Sequence, residues 1–185
     1  STHTSASQQG KTSLNEISDE ELKNLILLFK EGKVTDVINK LEEYKNINHK
    51  THLVWYLLAL SHASLDEHEK AIINFNKALK IKPNDQEILN NLGASYKHIG
   101  DKNKALEVFQ EALKIKEDDF NSLLNLANAF KDLGNVESSI DYYLKAKEVN
   151  PKNSSVFYNV GVLFQDQGCI DYAIENFNRS ITLNP

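Results

Sequence analysis

The side chains with the clearest chemical regularity in this sequence are three asparagines placed 34 residues apart: Asn91, Asn125 and Asn159. Each asparagine amide carries two hydrogen-bond donors and an acceptor oxygen, the same kinds of group that a peptide backbone presents. A row of such amides could hold an extended peptide by its backbone, whatever the peptide's sequence. This chemistry requires a scaffold that brings residues far apart in the chain into one line.

Residues that could support catalysis or bind a metal are too scattered to predict such a site. His49 and His52 are three residues apart, a spacing that two ligands on one helix could use, but no third ligand lies near them. Cys169 is the only cysteine, and the segment around it contains no histidine that could activate it. Glycines occur singly, so a glycine-rich phosphate loop is not expected. The sequence therefore predicts a protein that is not an enzyme and uses no metal or cofactor.

Composition and charge narrow the class of partner. The 185 residues have a net charge of −5, and Arg179 is the one arginine among 21 cationic residues. Because nucleic-acid-binding proteins rely on clustered lysine and arginine, a nucleic-acid partner is not expected. The apolar runs fall short of the roughly 20 residues that span a bilayer, so no membrane partner is expected either. With a single cysteine and no signal-peptide pattern, the predicted location is cytoplasmic.

Residues 1–13 are small and polar, and residues 1–17 are predicted to be a disordered tail or an artificial remnant. The sequence contains no methionine, which favours a processed chain or an excised fragment. Neither feature contributes to the scaffold that the asparagine row requires.

That scaffold is encoded in a repeat of 34 residues, in the windows 52–85, 86–119, 120–153 and 154–185. Positions 8, 20 and 27 of each window are small, which lets two helices approach closely, and position 24 is always aromatic. Apolar residues recur at spacings of three and four, as one face of a helix requires. Glycine at position 15 and proline at position 32 occur in three windows each and are typical helix ends. Each window is predicted to contain two helices of about 13–15 residues.

This pattern resembles the tetratricopeptide repeat (TPR) family, with Leu-Gly or Leu-Ala at positions 7–8, Ala at 20, Phe or Tyr at 24, Ala at 27 and Pro at 32. The resemblance covers residues 52–185 and implies an all-α, right-handed superhelical solenoid of helix–turn–helix repeats. Two departures are Asp66, which replaces glycine at position 15, and Glu117, which replaces proline at position 32.

Residues 18–51 follow the same period more loosely. Gly32 falls at position 15, but Val37 and Tyr44 replace the small residues at positions 20 and 27. A capping-box pattern begins at Ser18. This segment is predicted to be a divergent TPR-like hairpin that covers the N-terminal end of the stack.

In the family, positions 2, 5, 6, 9, 12 and 13 face the concave groove of the superhelix. Position 6 holds Asn91, Asn125 and Asn159, and this row is similar to the asparagine ladder in the TPR region of O-linked N-acetylglucosamine transferase. The resemblance predicts a peptide-binding groove that also includes four other residues at positions 5 and 9: Asn90, Asn128, Tyr56 and Tyr158. The alternative is that these are ordinary solvated residues in a sequence rich in asparagine.

The predicted function is a protein–protein interaction scaffold that holds a protein or peptide partner in the concave groove. The alternative is a substrate-recruiting N-terminal region of a larger enzyme, such as a glycosyltransferase or another transferase. That alternative agrees with the end of the sequence at Pro185, where a further helix is expected to cover the last repeat. A third reading is self-association through the terminal hairpins.

Overall fold

The structure is a computed structural model that describes residues 17–44 and 51–184. Within these ranges the chain forms ten helices and no strand. They are α1 (Asp19–Lys30), α2 (Val34–Glu43), α3 (His52–Ser64), α4 (His68–Ile81), α5 (Gln86–His98), α6 (Lys102–Ile115), α7 (Phe120–Asp132), α8 (Val136–Val149), α9 (Ser154–Asp166) and α10 (Ile170–Leu183). None of these helices has the length and apolar character needed to cross a membrane. The predicted N-terminal tail apart from Ile17, and His49, lie outside the described residues.

Polar side chains mark the start of the first helix in each hairpin. Asp85, Asp119 and Asn153 precede α5, α7 and α9, and a side-chain oxygen of each accepts a hydrogen bond from the backbone amide three residues later, at 3.1, 2.8 and 3.3 Å. Ser18 caps α1 in the same way through the amide of Glu21 at 3.1 Å. These caps supply partners for amides that have none within the helix, and so they determine where each helix begins.

The two helices of each hairpin are joined by a turn that contains a residue with a positive φ. Gly100, Gly134 and Gly168 have φ angles of 83, 77 and 73° in the last three hairpins. Asp66 takes this place between α3 and α4 with a φ of 59°. The left-handed conformation costs most residues with a Cβ about 1–2 kcal/mol, so Asp66 holds a turn that glycine forms without that cost.

The helices pack as a stack of hairpins. The most extensive contacts join α3 to α4, α5 to α6, α7 to α8 and α9 to α10, and each second helix also contacts the first helix of the next hairpin. Small and aromatic residues form the seam within a hairpin; on α4 these are Ala71, Phe75 and Ala78, all fully buried. At Gly93 the backbone of α5 lies so close to the Phe109 ring that a Cβ would overlap it. The chain is therefore an all-α solenoid of helix–turn–helix units, as the sequence predicted.

The two ends of the described stack differ in how well they are covered. The α1–α2 hairpin packs against α3 and buries its own apolar residues Leu25, Val37 and Leu41. At the other end α10 buries only Ala173. Three apolar residues that share one face of α10 are 52–61% exposed: Ile170, Ile174 and Ile181.

Candidate functional site

The asparagine row lies on the first helices of three successive hairpins. Asn91 is on α5, Asn125 on α7 and Asn159 on α9, and all three are half-buried. Two pairs of consecutive first helices contact each other directly, α3 with α5 and α5 with α7. The stacking therefore places side chains 34 residues apart in sequence on neighbouring elements.

A hydrogen-bonded group joins the first two of these helices, α3 and α5. The Tyr56 hydroxyl donates to Oε1 of Glu87 at 2.7 Å and accepts from Nδ2 of Asn91 at 3.0 Å. The same Asn91 nitrogen donates to the backbone carbonyl oxygen of Glu87 at 2.9 Å. Burial, together with the bond to the Glu87 carboxylate, raises the pKa of Tyr56 well above its ordinary value. Tyr56 therefore remains a neutral phenol that orients its two partners.

A second group joins α5 to α7. Nδ2 of Asn90 donates to the Ser122 hydroxyl at 3.0 Å, and Nδ2 of Asn125 donates to Oδ1 of Asn90 at 3.2 Å. The Ser122 hydroxyl lies 2.9 Å from Oδ2 of Asp119, the residue that caps α7. Nε2 of Gln86 donates to Ser122 at 3.2 Å. Ser122 is fully buried, so it serves as the hub of this group and is closed to solvent.

The two groups meet in one cavity of about 420 Å³ between α5 and α7, which we call the amide pocket. Its lining residues are Gln86, Glu87, Asn90, Asn91, Ala94, Asp119, Asn121, Leu124 and Asn125. Among the described residues that line it, two are carboxylates and none is a lysine or arginine. The pocket is therefore polar, rich in oxygen and anionic.

The remaining predicted groove residues lie outside the amide pocket. Oδ1 of Asn128 accepts a hydrogen bond from the Tyr143 hydroxyl at 2.6 Å, which joins α7 to α8. Tyr158 on α9 is 55% exposed, and its ring centroid lies 5.8 Å from that of Phe177. The structure thus brings Asn90, Asn91 and Asn125 together with Tyr56. It leaves Asn128, Asn159 and Tyr158 apart from them.

Comparison with known families agrees with this architecture. A tetratricopeptide repeat model matches residues 50–118, and a second tetratricopeptide repeat model matches residues 120–153. Together the two matches cover more than half of the sequence. The chain belongs to the tetratricopeptide repeat family.

Several solved structures share this TPR fold at low sequence identity. A crystal structure of MamA has a TM-score of 0.80 and 16% identity over 90% of this chain and 95% of that one. MamA 41-end from Desulfovibrio magneticus RS-1 has a TM-score of 0.82 and 20% identity, over 90% of this chain and 96% of that one. YrrB, a TPR protein with an unusual peptide-binding site, has a TM-score of 0.75 and 17% identity, over 89% of this chain and 84% of that one. A search of curated proteins finds no match. At these identities the likeness shows the fold alone.

The most informative residues that the sequence reasoning did not name are Glu87, Asp119 and Ser122. Glu87 occupies position 2 of its TPR repeat, one of the groove-facing positions, so a signal for it was present. The sequence predicts Asp119 to be a helix cap, but nothing in it indicates that Asp119 also contacts Ser122 and lines a pocket. Ser122 is at position 3, which the groove pattern omits because its side chain is buried between helices.

The TPR stack also forms cavities between successive second helices. One of about 620 Å³ lies between α6 and α8 and includes Leu113, Lys114, Tyr142 and Lys145 in its lining. Similar cavities of about 380 and 520 Å³ occur between α4 and α6 and between α8 and α10. Because they recur at successive junctions with different linings, these cavities are a product of stacking. The amide pocket differs, since hydrogen bonds hold its polar side chains in place.

The histidines and the cysteine of this TPR chain do not assemble into a second site. His62 is buried, and its Nδ1 lies 2.6 Å from Oε2 of Glu67. The exposed ring of His98 stacks on His68 with 4.1 Å between the ring centroids, and Cys169 is exposed. In the part of the chain that the structure describes, no group of three histidine, cysteine or acidic residues could hold a metal ion.

Proposed function

We propose that this chain is a protein–protein interaction scaffold that binds an extended peptide segment of a partner along its first helices. The observation that carries the proposal is that polar side chains from three first helices form two hydrogen-bonded groups, and that members of both groups line the amide pocket. Asn91, Asn90 and Asn125 provide amides there, and their neighbours fix the direction in which each amide points. A preorganised polar surface of this kind binds with a smaller loss of side-chain entropy.

The chemistry of the pocket supports binding and not catalysis. Two hydroxyls contact carboxylates there, those of Ser122 and Tyr56. Ser122 is closed to solvent and is bonded to Asp119 and Asn90. Tyr56 is held as a phenol by its raised pKa, so it is a poor general base. These side chains can orient a ligand, and they are not arranged as a nucleophile with an activating base.

The likeness to YrrB supports the proposal at the level of fold, because that TPR protein is described as having a peptide-binding site. The alternative, a substrate-recruiting region of a larger transferase, would require the same groove. No feature of the described residues favours that alternative over a scaffold.

The proposal can be tested with peptides selected from a random library for binding to this chain. The triple variant Asn91→Ala, Asn125→Ala, Asn159→Ala should weaken their affinity at least about tenfold, because each lost hydrogen bond contributes about 0.5–1.5 kcal/mol. Fluorescence anisotropy would measure the dissociation constants. Circular dichroism would establish that each variant is folded.

A matched control removes three asparagines from second helices: Asn76→Ala and Asn178→Ala at exposed positions, and Asn176→Ala at a half-buried one. This control should bind the selected peptides as well as the parent does. A second variant, Lys114→Ala with Lys145→Ala, removes polar lining from the cavity between α6 and α8. If that variant loses binding while the asparagine triple keeps it, the site is between the second helices and the proposal is wrong.

A further inference from the structure

The hydrogen-bond donors of the amide pocket are largely used within the protein. An asparagine amide nitrogen has two hydrogens. In Asn91 both are engaged, one by the Tyr56 hydroxyl and one by the Glu87 carbonyl. Asn125 uses one on Asn90, and Asn90 uses one on Ser122. The internal network therefore engages both amide hydrogens of Asn91 and one each of Asn90 and Asn125.

The oxygens of the same side chains are less committed. Among the hydrogen bonds of the described residues, none goes to Oδ1 of Asn91 or to Oδ1 of Asn125. The carboxylates of Glu87 and Asp119 add four more acceptor oxygens to the lining, of which each residue uses one for a side-chain bond within the protein. What the pocket offers to a ligand is therefore mostly acceptors, and the matching ligand is a group rich in donors.

The charge of the pocket points in the same direction. Glu87 and Asp119 are both acidic residues, and the lining contains no lysine or arginine side chain. Lys97, which also lies on α5, is bonded to Asp132 at 2.9 Å. Lys82, before the start of α5, is bonded to Asp85 at 2.8 Å. Both lysines are thus neutralised by other carboxylates, and the pocket keeps its negative charge.

We propose that the amide pocket binds a lysine or arginine side chain of the partner peptide, so that this TPR groove selects basic segments. The inference rests on the proposed function, and it replaces recognition of the backbone alone by recognition of a particular class of side chain. Arginine offers five donors and lysine three, and neither side chain has an acceptor. Both therefore complement a pocket lined by amide oxygens and two carboxylates.

The test uses three small probes: N-acetyl-arginine methylamide, N-acetyl-lysine methylamide and N-acetyl-citrulline methylamide. Citrulline has nearly the shape of arginine but no charge. In ¹H–¹⁵N spectra of the intact chain, the arginine and lysine probes should shift the side-chain amide signals of Asn91 and Asn125. The citrulline probe should bind at least tenfold more weakly. Equal shifts from all three probes, or no shifts from any, would overturn the inference.

The double variant Glu87→Gln, Asp119→Asn removes both charges while keeping the local structure. Glutamine can still accept the Tyr56 hydrogen bond, and asparagine caps a helix as well as aspartate does. This variant should lose at least tenfold in affinity for the arginine and lysine probes and should keep its thermal stability. Unchanged affinity in a folded variant would show that the carboxylates do not recognise the cation, and the inference would be wrong.

Peptide selection separates a failure of this inference from a failure of the proposed function. Peptides selected on the parent chain should be enriched in lysine and arginine, and those selected on the double variant should not. If neutral peptides are selected and the asparagine triple variant still loses them, the groove binds peptides but the basic preference is wrong. If the selected peptides bind the asparagine triple variant as tightly as they bind the parent chain, the proposed function is wrong.

Discussion

Gly93 and Gly161 occupy the same position of the TPR repeat, but the aromatic rings that face them differ in how freely they can move. A Cβ at Gly93 would overlap the ring of Phe109, and one at Gly161 would lie 2.7 Å from the ring of Phe177. Phe109 is 2% exposed and enclosed by the next hairpin. Phe177 is half-buried, because it lies on α10, whose outer face is uncovered.

These two glycines should therefore respond differently to alanine. At either site alanine favours the helix by about 1 kcal/mol relative to glycine. Forcing an enclosed ring to move costs about 1–3 kcal/mol, and this cost should apply in full only at Gly93. Urea unfolding should show that Gly93→Ala lowers the midpoint, whereas Gly161→Ala leaves it unchanged or raises it. Equal losses in the two variants would show that Phe177 is as constrained as Phe109.

The asparagine row shows how far a repeat period can predict a site at the scale of residues. The period predicts that Asn91 and Asn125 lie on neighbouring first helices, because every repeat folds in the same way. It does not predict the direction of each amide, which depends on contacts with residues that do not recur, such as Tyr56 and Ser122. For the same reason it groups Asn128 with the groove, although the amide of Asn128 is bonded to Tyr143.

Local signals in the sequence predict the helices closely. Helices α3 to α10 are 13 or 14 residues long, within the predicted 13–15. The ends are predictable because capping side chains and left-handed residues act within one turn of the backbone. Asp66 is the departure at this scale, since the α3–α4 turn keeps its positive φ without glycine.

The α3–α4 turn offers a direct way to stabilise one element. Asp66→Gly should raise the free energy of unfolding by about 1 kcal/mol, because it relieves a left-handed residue that carries a Cβ. Little is lost in exchange, since the Asp66 side chain is 95% exposed and lies 3.7 Å from Nε2 of His68. Asp66→Ala is the control and should lower the stability, because alanine has neither the freedom of glycine nor a polar side chain suited to this turn. Thermal unfolding of both variants would check the predicted ranking of stabilities, in which glycine is above the parent and alanine is below it. A glycine variant no more stable than the parent would contradict the prediction.

At the scale of the whole molecule, stability in a stacked array is shared between each hairpin and its neighbours. The inner second helices α6 and α8 each bury three residues in their seams, whereas α10 buries one. The uncovered face of α10 is also where self-association through a terminal hairpin, which stays a prediction, would take place. The distribution of burial therefore predicts a gradient of local stability along the solenoid.

Amide hydrogen exchange would measure that gradient residue by residue. Backbone amides of α10 should open with a lower free energy than those of α5 to α8, because α10 buries one residue whereas α6 and α8 bury three each. Gly93→Ala should lower the protection of α5 and α6 and leave the exchange of α10 nearly unchanged, since the two regions share no direct contact. Uniform protection across all the hairpins would mean that the solenoid unfolds as one unit. In that case the weak burial of α10 would not set the stability of its own end.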